Sequence, residues 1–171
     1  MHSLKNLNYS NSQLSMLVML RVLIGWHFLY EGLTKVSKAG WSSAGYLLDS
    51  KGWFAGIFHW MAESPGILKT IDVINVWGLV FIGLALMIGL FSRLAAVGGM
   101  LLLAMYYLSH PPLVGLEFGA PGEGTYLLVN KNLIELFALA VLFVLPTSHI
   151  IGLDRFFYIS KHKTSPDPQV A

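Results

Sequence analysis

"RVLIGWHFLYEGLTK", residues 21–35, places an arginine, a histidine and a glutamate inside the first long apolar stretch of a 171-residue chain. An arginine facing lipid at that depth costs at least ~2.5 kcal/mol, so charges that persist there face the interior of a helix bundle or belong to a site. Arg21, Gly25, Phe28, Gly32 and Lys35 recur at spacings of four, three, four and three. That is a heptad-like seam on one side of a helix, and its glycines let a second helix approach closely. Arg21 is therefore expected to point into a bundle. Glu31 is not its partner, because ten residues of helix separate them by about 15 Å. Backbone carbonyls, Ser92 or an anionic ligand are the alternatives. His27 and Glu31, four residues apart, are neighbours on the flank of the seam.

The rest of the chain agrees with a membrane setting. Hydrophobic residues make up 55% and charged residues 12%, about half the charge of an ordinary soluble domain. The mean hydropathy is +0.63. A net charge of +2, scattered along the chain, gives no footing for a nucleic-acid partner. The absence of cysteine excludes thiolate zinc sites, iron–sulfur clusters and covalent c-type haem. A redox role must then use a bound cofactor or a partner protein.

A bilayer core takes about 20 apolar residues of helix. Runs at 14–33, 73–92, 94–109 and 133–151 approach or meet this, and 73–92 does so without a charge. The expected fold is all-α: an integral membrane four-helix bundle over 14–156, after a polar lead (1–13) and before a polar, disordered tail (157–171). Between the first two spans, Tyr46, Leu47, Trp53, Phe54, Ile57, Phe58 and Met61 fall at helical spacing within 41–63. This segment reads as an amphipathic helix in the membrane interface, or as a lid on the bundle. Lys5, Arg93, Arg155, Lys161 and Lys163 sit in short segments on the side of the termini. Lys35, Lys38, Lys51, Lys69 and Lys131 sit on the other. Positive-inside counting puts both termini in the cytoplasm, and hence the chain in the inner membrane.

On the far side, His27, Glu31, Lys35, Asp72, Asn75, His110, Asn130 and Glu135 are placed to converge at the mouth of the bundle. Asp72 also reads as a helix cap, and Lys35, Lys69 and Lys131 as interfacial snorkellers.

The seam R-x-x-x-G-x-x-F-x-x-x-G-x-x-K resembles the first-helix pattern of the DoxX family of small four-helix membrane proteins. "GLVFIGLALMIGLFSRLAA" (78–96), His110 and "IIGLDRF" (150–156) also resemble that family, so the likeness runs from 21 to 156. Relatives often carry an acid early in the second helix, where this chain has Val76, Trp77 or Gly78; Asp72 or Asn75 stands nearest. The family includes DoxD, a subunit of a thiosulfate:quinone oxidoreductase. The resemblance therefore implies a subunit of a quinone-linked oxidoreductase system, with a redox partner protein and room for a homo-oligomer.

A quinone needs an apolar slot with a donor or acid at its carbonyls. Gly25, Gly32, Trp26, Trp77, Tyr106 and His110 are candidates to bind it, and Glu31, His27 and Arg21 to carry the chemistry, with no metal. A histidine beside a carboxylate suits proton transfer. Only His27 lies deep in a span, which argues against a bis-histidine haem. The alternative from a different class is a non-catalytic scaffold or small-ligand carrier, in which Arg21 and Glu31 hold the helices in register.

Overall fold

A computed structural model describes residues 9–119 and 127–156. The first eight residues of the polar lead, residues 120–126 of the long loop and the tail 157–171 lie outside the described residues. Six helices follow in order: α1 (Asn11–Ser37), α2 (Ala44–Leu48), α3 (Ala55–Glu63), α4 (Pro65–Ile88), α5 (Ser92–Ser109) and α6 (Lys131–Val144). Three of them, α1, α4 and α5, are long and apolar enough to cross a membrane.

Local chemistry sets the helix ends. Ser10 and Gln13 form a capping box at the start of α1, at 3.2 and 2.9 Å. Pro65 opens α4, where its missing N–H costs nothing. Gly89 closes α4 with φ of 67°, the left-handed conformation that glycine adopts without strain. At α6, the Asn130 side chain accepts from the Leu133 N–H at 3.0 Å.

The seam on α1 packs as its spacing predicts. Arg21, Gly25, Phe28 and Gly32 are all buried, and the glycines lie against α4. A Cβ on Gly25 would meet the Gly83 carbonyl at 2.9 Å, and one on Gly83 would meet the Leu29 nitrogen at 2.4 Å. Backbone meets backbone at this crossing. The core beside it joins Ile24 and Phe28 of α1, Leu79 and Leu86 of α4, Ala95, Ala96 and Leu103 of α5, and Leu139 and Leu142 of α6. Outward, Leu23, Trp26 and Tyr30 of α1, Trp77 and Phe81 of α4 and Phe137 of α6 are exposed. In a membrane protein such a belt faces lipid.

Two expectations are corrected. The fourth apolar run, read as a span over 133–151, is helical only over Lys131–Val144. Proline cannot donate the next helical hydrogen bond and disfavours helical geometry in the residue before it. Leu145 accordingly leaves the helix (φ −111°, ψ 69°) ahead of Pro146. Fourteen residues reach about 21 Å, short of the ~30 Å hydrocarbon core. The segment 41–63 is not one amphipathic helix either. It breaks into α2 and α3 at a turn that includes Gly52, with φ of 93°. The α2 half folds onto the bundle, while Ile57 and Trp60 of α3 remain exposed.

The chain after α6 turns back under the bundle. The Leu153 and Asp154 N–H groups donate to the Ile88 and Gly89 carbonyls at 3.1 and 2.9 Å. One end of the molecule thus joins the α4–α5 turn, residues 147–154 and the first half of α1. The other end holds α2, α3 and the starts of α4 and α6.

Candidate functional site

The second of these ends holds a cavity of about 380 Å³. Phe28, Leu79 and Leu103 give it an apolar wall, and each is almost wholly buried. Polar groups reach it from four directions: His27, Glu31 and Lys35 from α1, Asn75 from α4, Tyr106 from α5, and Lys131, Asn132 and Glu135 from α6. Trp41, Ser42, Ser43 and Tyr46 close over it. Its size and mixed lining fall in the range of small-molecule sites.

Two polar clusters organise the lining. In the first, His27 Nδ1 lies 2.8 and 3.0 Å from the two carboxylate oxygens of Glu135, tying α1 to α6. With the Nδ1 proton donated to Glu135, Nε2 is left to exchange protons. In the second, Lys35 Nζ donates to Asn75 Oδ1 at 3.2 Å, and Asn75 Nδ2 donates to the Tyr106 hydroxyl at 2.7 Å. The Lys35 ammonium also lies over the rings of Trp41 (5.3 Å) and Tyr106 (5.6 Å), within cation–π range. Glu31 sits between the clusters at the rim, half-exposed and 4.0 Å from Lys35.

The cover is fastened by polar contacts. The Ser43 N–H and hydroxyl both donate to Asp72 Oδ1, at 2.8 and 2.5 Å. The Tyr46 hydroxyl donates to the Tyr106 carbonyl at 3.3 Å, and its ring stacks on His110 at 3.9 Å. Burial pushes the Tyr46 phenol well above its ordinary range, with nearby Tyr106 adding to the effect, so it stays a neutral donor. Burial lowers His110 below its ordinary value, against the opposing pull of Asp49 at 3.7 Å. Asp49 also accepts from the Gly119 N–H at 2.7 Å, which pins the second loop to the cover.

The structure brings some of the expected site residues to this cavity and not others. His27, Glu31 and Tyr106 line it. His110 does not; it supports Tyr46 from behind. His27 pairs with Glu135 rather than with Glu31, since α6 lies across from its ring. Gly25 and Gly32 do not back a slot, because α4 fills the space beside them. Trp26 and Trp77 are about half-exposed on the outer surface. Asp72 holds Ser43 instead of facing the cavity, and Asn75 is the polar group that α4 supplies there.

Arg21 lies at the opposite end, only 3% exposed. Its Nη1 donates to Thr147 Oγ1 at 3.0 Å and its Nη2 to the Ile151 carbonyl at 2.8 Å. A backbone carbonyl, one of the alternatives in the sequence, is thus a partner. Asp154 accepts from the Phe91 and Ser92 N–H groups at 2.7 and 3.3 Å, and Ser92 bonds Ser148 at 2.7 Å. Together these groups lock the α4–α5 turn to residues 147–154, which gives Arg21 a structural setting.

Trp41, Ser43 and Tyr46 were not among the expected site residues. The seryl-rich start of the 41–63 segment, facing an acid at the head of α4, was the available signal. It reads equally as helix capping.

No curated protein and no solved structure matches the chain. The DoxX family model matches residues 16–111, which is more than half of the chain and takes in most of α1 and all of α2 through α5. The matched stretch contains the glycine crossing, the Lys35–Asn75–Tyr106 cluster and the cover, and the chain belongs to the DoxX family.

Proposed function

We propose that this DoxX protein is an integral membrane subunit of a quinone-linked oxidoreductase system, with the quinone ring held in the cavity beneath Trp41 and Tyr46. The observation that carries this reading is the His27–Glu135 pair, set beside the apolar wall of Phe28, Leu79 and Leu103 in a cavity of mixed lining at one end of the helices. A quinone supplies uptake and release of electrons and protons at its ring oxygens. The cavity volume suits such a ring, Phe28, Leu79 and Leu103 suit its faces, and Lys35 and Tyr106 suit its oxygens. His27 holds a proton at its ring nitrogen, Glu135 orients the imidazole and balances its charge, and Glu31 at the rim links the pair to water.

The electron donor in this reading is a partner protein. The fold is a four-helix membrane bundle in which α6 and the coil that follows it together make the fourth crossing, in the inner membrane with both termini cytoplasmic.

A second reading, a scaffold or small-ligand carrier, draws on the placement of Arg21, Gly25 and Gly32. All three serve helix packing and none faces the cavity. Extraction of the purified protein with organic solvent, followed by mass spectrometry, separates the two. Quinone retained at a near-stoichiometric level is expected. A preparation without quinone that also fails to take it up from lipid would favour the scaffold.

A further inference from the structure

The Lys35 end of the cavity has more hydrogen-bond donors than the protein itself uses. An ammonium carries three donors, and among the described residues Lys35 makes one hydrogen bond, to Asn75. Glu31, at 4.0 Å, is beyond hydrogen-bond distance. The Tyr106 hydroxyl accepts from Asn75 Nδ2, which leaves its own proton to give. Asn75, 8% exposed, holds both donors at once, with its carbonyl toward Lys35 and its amide toward Tyr106. The rings of Trp41 and Tyr106 fix the ammonium and offer flat apolar faces beside it.

The acids nearby leave this charge largely uncompensated. Glu135 is bonded to His27, Asp72 to Ser43, and Glu31 is half-exposed at the rim, where an ion pair is worth little. Lys131 lines the same cavity. A partly dehydrated ammonium between aromatic rings gains most from a charge-assisted bond to an anionic oxygen.

We propose that Lys35, positioned by Asn75 and Tyr106, forms an anion subsite that makes the cavity select ring ligands bearing an ionised oxygen over their neutral counterparts. This rests on the reading of the cavity as a quinone site and adds to it the charge state of the preferred ligand.

The test compares two probes on the purified full-length protein. One is a hydroxynaphthoquinone whose ring hydroxyl is ionised at neutral pH; the other is its neutral methyl analogue. Binding is measured by equilibrium dialysis. The native protein is expected to bind the ionised probe about tenfold more tightly, the size of one charged hydrogen bond. Lys35→Met should weaken the ionised probe more than the neutral one and so reduce that preference to within about twofold, and Lys35→Arg should retain it. Equal affinity of the native protein for both probes, or a preference that survives in Lys35→Met, overturns the anion subsite and leaves the quinone reading standing. Failure of both probes to bind the native protein overturns both. The comparison on native protein decides the matter even where Lys35→Met fails to fold.

Discussion

Arg21→Leu is expected to unfold this protein more readily than any change on its lipid-facing surface. The guanidinium is almost fully buried and donates to Thr147 Oγ1 and the Ile151 carbonyl. Leucine leaves the buried Thr147 Oγ1 and the part-buried Ile151 carbonyl without that donor, at about 1–3 kcal/mol each. Leucine is also shorter than arginine, so the space that Cζ and Nη2 fill beside Gly89 is left empty. Relief of a buried charge offsets part of this. A net loss on the order of 2–4 kcal/mol would lower the melting temperature by roughly 4–16 °C. Arg21→Lys keeps the charge but cannot reach both acceptors, so it should fall between. Lys69→Leu, on the exposed face of α4, serves as the comparison and should melt with the native protein. Thermal unfolding in detergent of the three variants is the measurement, and equal melting of Arg21→Leu and Lys69→Leu would refute a structural role for Arg21.

Glu135→Gln is expected to leave the fold intact and lower quinone turnover by about a hundredfold, the lower range for loss of a positioned acid–base group. Glutamine keeps an oxygen for His27 Nδ1 but cannot balance a protonated imidazole, so His27 loses the partner that lets it take up a proton. Glu31→Gln should have the smaller effect, because Glu31 is half-exposed and lies 4.0 Å from Lys35 instead of beside His27. Quinone reduction by the native electron donor in membranes is the measurement, with protein level followed in parallel. Unchanged turnover in Glu135→Gln would remove the proton-transfer role from the pair.

The residues that the sequence made legible are those governed by local periodicity. The four-three spacing of Arg21, Gly25, Phe28 and Gly32 identified the buried face of α1, because helical geometry alone decides which positions share a side. What that face meets is decided elsewhere. Gly25 and Gly32 read equally as a slot for a ligand or as a helix crossing, and only the position of Gly83 on α4 chooses the crossing. Trp26 sits one position off the seam and so faces outward, although its aromatic character invited a place at the site. His27 and Glu135 are 108 residues apart; the sequence places both at the mouth of the bundle, but the pairing itself is set by how α1 and α6 pack. Glu31, four residues away on the same helix, is the acid nearer in sequence and lies at the rim, 4.0 Å from Lys35.

The fourth helix shows a different limit. Pro146 was visible and its effect on a helix is known, yet hydropathy continued through Ile151 and carried the expected span past it. Of the donor-rich cluster, the sequence places Lys35 and Asn75 together at the mouth of the bundle and reads Tyr106 apart, among the candidate quinone-binding residues. The hydrogen bonds that join the three depend on how α1, α4 and α5 pack.

Photoaffinity labelling decides whether the cavity is where quinone binds. Purified native protein is illuminated with an azido-quinone, digested, and the labelled peptides are sequenced by mass spectrometry, with and without excess unmodified quinone. Label confined to the peptides carrying Trp41–Tyr46, Tyr106 and the start of α6, and abolished by the competitor, is the expected result. Label that spreads over the lipid-facing Trp26 and Trp77 surfaces and resists competition would contradict a quinone site in the cavity.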